Sequence, residues 1–72
     1  MTEFDRITNT QIRETIDEYI HSERDRALLK RRFIDGICFE PLAEEFGLSV
    51  VQTKRIVYKK GDKVLRRIRG VV

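Results

Sequence analysis

Apolar and polar residues alternate along this chain with the period of a helix, in four successive stretches. In the first, Ile12, Ile16, Tyr19 and Ile20 recur at i, i+4, i+7 and i+8, with Arg13, Glu14, Asp17 and Glu18 on the opposite side. That stripe predicts an amphipathic helix over about 10–21. Thr8 or Thr10 can cap it, and Thr8 with Gln11 three residues on has the form of a capping box. His21 and Ser22 make a break. Ser22 with Asp25 then marks a second start, and Glu23 adds the negative charge that a helix N-terminus favours. The second helix is predicted over about 23–35, with Leu28, Leu29 and Phe33 inward and Ala27 and Ile34 on its flanks. Arg32 falls inside the inward sector and calls for a carboxylate from a neighbouring helix, Glu44 or Glu45. Asp35-Gly36 supplies the stop.

The third and fourth stretches lie close together, from Phe39 to Tyr58. Ile37 and Cys38 lead into a short helix over about 39–46. Pro41 falls in its first turn, where the missing N–H costs nothing. Leu42, Ala43 and Phe46 share one face, and the small Ala43 suits a close, steep helix crossing. Gly47 follows where a positive φ stops a helix. Leu48 can plug the turn, and Ser49 is a good N-cap for the next helix. That helix carries Thr53, Ile56, Val57, Val64 and Ile68 inward, with the Lys60 stem on the same side. Gly61 interrupts it at a cost of ~1 kcal/mol relative to Ala, so helix is expected to about 67 and weaker beyond 61. Val64, Leu65 and Ile68 either finish the core or form an interface with a second copy. Residues 1–8 read as a flexible arm from which Phe4 and Ile7 can tuck onto the domain, and Gly70–Val72 as a disordered end. The expected architecture is all-α: a bundle of four helices (three to five) in a single domain over 9–69, with a C-terminal helix-turn-helix at 39–59.

Charge changes the picture because it is unevenly spread. Residues 1–23 hold two basic and six acidic groups, residues 24–48 five of each, and residues 49–72 eight basic groups against Asp62 alone, giving −4, 0 and +7. The positive charge therefore sits on the second helix of the pair and its extension, the footprint of a phosphate-facing surface. With 72 residues the chain is one small domain. A single cysteine, Cys38, excludes an internal disulfide. A polar N-terminus and the lack of a bilayer-length apolar run complete the expectation of a cytoplasmic protein with no membrane partner.

Catalytic chemistry is not legible. One His and one Cys stand seventeen residues apart and form neither a nucleophile–base setting nor a zinc site. Glu44 and Glu45 are adjacent and do not share a face, so they do not read as an acid–base pair. No glycine-rich phosphate loop occurs. The expectation is no enzyme, no cofactor and no metal.

If Thr53, Ile56 and Val57 point inward, a step of about 100° per residue turns Val51, Arg55 and Tyr58 directly outward. Lys54 then lies on one flank, Gln52 and Lys59 on the other. Arg55 can bridge guanine O6 and N7, Gln52 can bridge adenine N6 and N7, and Val51 suits a thymine methyl group. Lys54, Lys59, Lys60 and Lys63 suit phosphates. Tyr58 either joins them or packs on a surface neighbour. With Ser49 and Val50 at the helix start, these residues make the candidate interface with the major groove of double-stranded DNA.

The stretch from Glu23 to Leu65, SERDRALLKRRFIDGICFEPLAEEFGLSVVQTKRIVY with its flanking KVLRRI, resembles the fourth conserved region of the sigma-70 family of bacterial transcription factors. It covers about 60% of the chain. In that family an arginine–aromatic–x–Asp–Gly run, here Arg32, Phe33, Asp35 and Gly36, leads into a helix-turn-helix whose second helix continues into a basic tail. The whole chain is also similar to short, stand-alone sigma-like proteins of Gram-positive bacteria and their prophages. The resemblance implies binding to a −35 promoter element and to RNA polymerase. It carries the family's DNA contacts onto Val50, Val51, Gln52, Lys54 and Arg55. Residues 50 and 51 are usually polar or charged in promoter-reading members, so two valines imply a different site or weaker reading. No stretch corresponds to the region that binds the −10 element, which implies a transcriptional regulator and not a complete sigma factor. Two other readings stay open: a protein-interaction module that docks on RNA polymerase or another transcription factor with little DNA binding of its own, and a small structural or toxin-like protein with a chance motif. Monomer and homodimer both remain possible.

Overall fold

The computed structural model describes residues 8–70, and among them the chain is four helices with no strand: α1 (Asn9–Tyr19), α2 (Glu23–Phe33), α3 (Phe39–Phe46) and α4 (Val50–Arg69). α4 packs against each of the other three, and α2 also touches both α1 and α3. Residues 1–7 of the arm expected over 1–8, with Phe4 and Ile7, and the last two residues lie outside the described region. Among the described residues no helix is long and apolar enough to cross a membrane.

Three of the four helices, α1, α2 and α4, start where a side chain takes up free backbone N–H groups. Thr8 caps α1: the Gln11 N–H donates to Thr8 Oγ1 (3.1 Å) and the Thr8 N–H donates to Gln11 Oε1 (2.9 Å). Ser22 Oγ accepts from the Asp25 N–H (3.3 Å) at the head of α2. Asp25 itself is only 6% exposed, and Arg24 holds its carboxylate with two hydrogen bonds. α1 stops two residues before the expected 21. Ile20 is already extended, and Arg26 donates to the carbonyls of Ile20 and His21 (both 2.9 Å), which satisfies backbone groups that a longer helix would have used internally. α2 likewise ends at Phe33, and Gly36 turns the chain with φ +70°.

The core joins one stripe from every helix. Ile16 and Ile20, Leu28 and Leu29, Leu42 and Ala43, and Val57 and Val64 are buried. Ile12, Phe33, Ile37, Phe39, Phe46, Leu48, Ile56 and Ile68 pack around them. Val64 and Ile68 therefore complete the core, and only Leu65 of the three candidate interface residues stands partly apart from it. Thr53 is fully buried, and its hydroxyl donates to the Ser49 carbonyl (2.9 Å), so its one polar atom is satisfied.

Two expectations fail here. Arg32 does not pair with Glu44 or Glu45. Its Nη1 donates to the Ile37 carbonyl (2.9 Å), and its guanidinium lies over the Phe39 ring, 4.3 Å from the centroid. The partner of Glu45 is Arg31, one residue earlier, which also pairs with Asp35. Arg31 stands at the solvent edge between α2 and α3, while the sector of Arg32 is covered by an aromatic ring. The hydrogen bond to Glu45, then that to Asp35, raises the Arg31 pKa above its ordinary value.

The second failure is at the end of the helix. α4 continues through Gly61, as expected, and runs unbroken to Arg69, where Gly70 closes it with φ +71°, so residue 70 caps a helix where a disordered end was expected. Gly61 is buried. A Cβ placed there would stand 2.7 Å from Phe33 Cζ and 3.0 Å from Cε2. The glycine lets the Phe33 ring sit directly on the α4 backbone. Gly61→Ala then gains ~1 kcal/mol of helix propensity but overpacks against the ring at a cost of roughly 1–3 kcal/mol. The expected result is net destabilisation in the native protein and stabilisation in a Phe33→Leu background. A double-mutant cycle by urea denaturation reads the coupling, and additive effects would refute the close-approach account.

Candidate functional site

α3 and α4 meet through a three-residue turn whose geometry the local sequence dictates. Gly47 takes φ +66°, ψ 32°, closed to most L-residues but open to glycine. The Gly47 N–H donates to the Glu44 carbonyl (3.3 Å) and the Leu48 N–H to the Ala43 carbonyl (2.9 Å), which takes up two of the carbonyls left free at the end of α3. Leu48 packs on the core. Ser49 then caps α4: its Oγ accepts from the Gln52 N–H (3.0 Å), and Gln52 Oε1 accepts from the Ser49 N–H (3.1 Å). The head of α4 is thus held in place on the body of the domain.

With Thr53 and Val57 buried, the outer side of α4 is fixed. Val51 is 65% exposed and Tyr58 63% exposed. Arg55 is exposed between them, and Ser49, Gln52, Lys54, Lys59 and Lys63 are exposed as well. These eight share one side of the helix or its flanks. Val50 and Lys60 do not join them fully: both are half-buried. At about 100° per residue Lys60 stands some 140° around the helix from Arg55. That puts it nearer the buried stripe than the outer face.

The basic side chains fall into two groups. Arg66 pairs with Asp62 at i,i+4 (3.0 Å), and Arg67 lies over the Tyr19 ring of α1 at 4.6 Å. Both are occupied in holding the domain. Arg55, Lys59, Lys60 and Lys63 have no hydrogen bond, ion pair or ring contact with another described residue. Arg55, Lys59 and Lys63 follow one another every fourth residue, so they rise along α4 in steps of about 6 Å. Like charges left this close without carboxylates are weakly unfavourable to the fold.

Sequence reasoning missed Phe39. The first residue of α3 gathers one residue of α2 and two of α4: the Arg32 guanidinium at 4.3 Å, Lys54 Nζ at 5.6 Å, and the Tyr58 ring edge-on at 5.9 Å and 64°. Tyr58 packs on a surface neighbour and stays largely exposed. Arg24 was missed too. It lines a cleft of about 210 Å³ together with Leu48, Gln52, Arg55 and Ile56. No sequence pattern marks Arg24, because its place beside Arg55 arises only when α2 and α4 pack.

His21 and Cys38 are exposed. Among the described residues no three His, Cys, Asp or Glu side chains converge in a way that could hold a metal ion. No protein-family model matches the chain, and neither a curated protein nor a solved structure does.

Cys38 occupies the N-cap of α3 with extended backbone, φ −67°, ψ 160°, and makes no side-chain cap hydrogen bond. Ser at this position supplies the missing acceptor. Cys38→Ser is expected to stabilise the protein by about 0.5–1 kcal/mol, read as a higher urea midpoint with an unchanged slope. A lower midpoint would show that the thiol packs in a way the cap geometry does not reveal.

Proposed function

We propose that this chain is a DNA-binding transcriptional regulator in which α3, the turn at Gly47 and α4 act as a helix-turn-helix, with α4 in the major groove. In its particulars it is a sigma-like regulator, related in design to the promoter −35-binding region of sigma factors and acting near RNA polymerase. The observation that carries this reading is the outer side of α4. A rigidly capped helix presents exposed Val51, Arg55 and Tyr58 and a run of cations with no partners inside the domain.

A globular protein gains nothing in its fold from unpaired cations on one stripe. A duplex does, because each neutralised phosphate releases condensed counterions. The major groove is about 12 Å wide and admits a helix. Arg55 near the head of α4 reaches base edges, while Lys59 and Lys63 further along reach the backbone. Lys54 lies on the Tyr58 side, and Arg24 beside Arg55 extends the basic surface onto α2.

A second reading has its own observation. Arg32, Phe33, Phe39, Tyr58, Asp62 and Leu65 line an open, largely apolar groove of about 300 Å³, which suits a docked protein segment. On that reading the chain binds RNA polymerase or another factor and touches DNA little.

Salt titration of binding to duplex DNA separates the two. Six phosphate contacts give a log–log slope of about −5. Lys63→Ala should reduce the slope by ~1 and leave sequence preference intact, whereas Arg55→Ala should relax the preference at one position at a cost of ~1–3 kcal/mol. Sites selected from a random duplex pool supply the sequence, and a palindromic outcome marks a homodimer. No measurable duplex binding at low salt would overturn the proposal in favour of the protein-docking reading.

A further inference from the structure

Resting on the reading of α4 as a groove-entering helix, we infer that Gln52 selects a hydrogen-bond acceptor, guanine first and thymine second, and does not read adenine. The free side chain of glutamine is ambidextrous. It offers a carbonyl oxygen and an amino group, and the adenine edge, with an acceptor at N7 and a donor at N6, matches both at once. Gln52 is not free in this way. Its Oε1 accepts from the Ser49 N–H at 3.1 Å and lies 3.2 Å from the Ser49 hydroxyl, while its own N–H donates to Ser49 Oγ at 3.0 Å.

This arrangement fixes which end of the amide faces the groove. A backbone N–H only donates, so the group opposite Ser49 N must be the carbonyl oxygen. The Nε2 amino group is left pointing away from the cap, with two donors and no acceptor. Gln52 is exposed, and it shares its cleft with Arg24 and Arg55, which are themselves donors only. The polar groups that this cleft turns outward are therefore donors alone.

Guanine shows two acceptors in the major groove, N7 and O6, and thymine shows one, O4. Cytosine shows only an amino donor, and adenine sets an N6 donor beside its single acceptor N7, so an amide that offers donors alone loses the two-bond match adenine otherwise gives a glutamine and meets N6 with donor against donor. For Gln52 to turn over and read adenine, the reciprocal cap would have to open, which makes the turned-over conformer roughly fivefold rarer than the capped one.

The test uses two variants and the native chain, each put through selection from a random duplex pool at low salt. Gln52→Glu keeps an acceptor for the Ser49 N–H, and Glu is a common residue at this place in a capping box, but it replaces the outward donors by a carboxylate oxygen. Gln52→Met removes the donors without adding charge, and circular dichroism checks that both remain helical. The expected result is guanine or thymine at one position for the native chain. That position becomes indifferent with Met and turns toward cytosine or adenine with Glu, and affinity for the native site falls about tenfold. Adenine at the position that responds to residue 52, or preferences unchanged in both variants, would overturn this inference while leaving DNA binding intact. Absence of duplex binding by the native chain would overturn the underlying proposal, and this inference with it.

Discussion

Gly61 has no Cβ, and the Phe33 ring occupies the space where one would be. That close approach lets α4 lie against α2 as one uninterrupted helix of 20 residues. The inner line of α4 is Thr53, Val57, Gly61 and Val64, spaced by four, four and three, so all four face the same neighbours. α1 depends on the same helix, since Arg67, two turns beyond Gly61, lies over the Tyr19 ring. A break at Gly61 would withdraw Val64 and Ile68 from the core and separate α1 from its support. It would also scatter the outer residues, because Arg55, Lys59 and Lys63 align only while the helix is continuous.

The aromatic cluster at Phe39 does for the turn what Gly61 does for the long helix. It sets the start of α3 against both α2 and α4. Burial of apolar area alone would allow these elements to slide. A guanidinium stacked on a ring while donating to the Ile37 carbonyl has one geometry, and that geometry fixes the connection between α2 and α3. The arrangement also sorts the basic residues. Lys54 and Arg32 are used by the ring, Arg66 by Asp62 and Arg67 by Tyr19, whereas Arg55, Lys59 and Lys63 are aimed away from the domain.

Much of this was legible from local sequence, and what was not legible shares a cause. The caps at Thr8 and Ser22, the bounds of α3, the positive φ at Gly47 and the inward and outward faces of α4 all follow from residues within one or two turns of each other. Local chemistry decides them. Arg31 against Arg32 is different. Periodicity gives an angle around α2, but which cation meets Glu45 depends on where α3 comes to rest. Gly61 reads as a weak point when only propensity is weighed, and as a fitted contact once Phe33 is known to lie on it. The cap on the α1 carbonyls by Arg26 and the cleft shared by Arg24 and Arg55 likewise exist only in three dimensions. The interface residues share this limit: their exposure, and the half-burial of the Lys60 stem, could be deduced from the face of a helix, but not that Tyr58 would lean on Phe39.

A residue at the head of a helix can be asked to hold the helix and to meet a ligand, and these demands compete for the same atoms. Ser49 and Gln52 spend an oxygen each on the cap. Val50 is half-buried, and Val51 has no hydrogen-bonding group. The first turn of α4 is thus built for position, with only the Gln52 amino group left over. Arg55 is the first side chain whose full donor set is uncommitted, one turn further in. On the proposed reading, discrimination between bases then centres on Arg55, and the two valines act through shape, by admitting a thymine methyl group and excluding polar edges. A helix with polar residues at those two positions would spread its readout over the first turn. On the same reading, this one concentrates it on Arg55 and the Gln52 amino group.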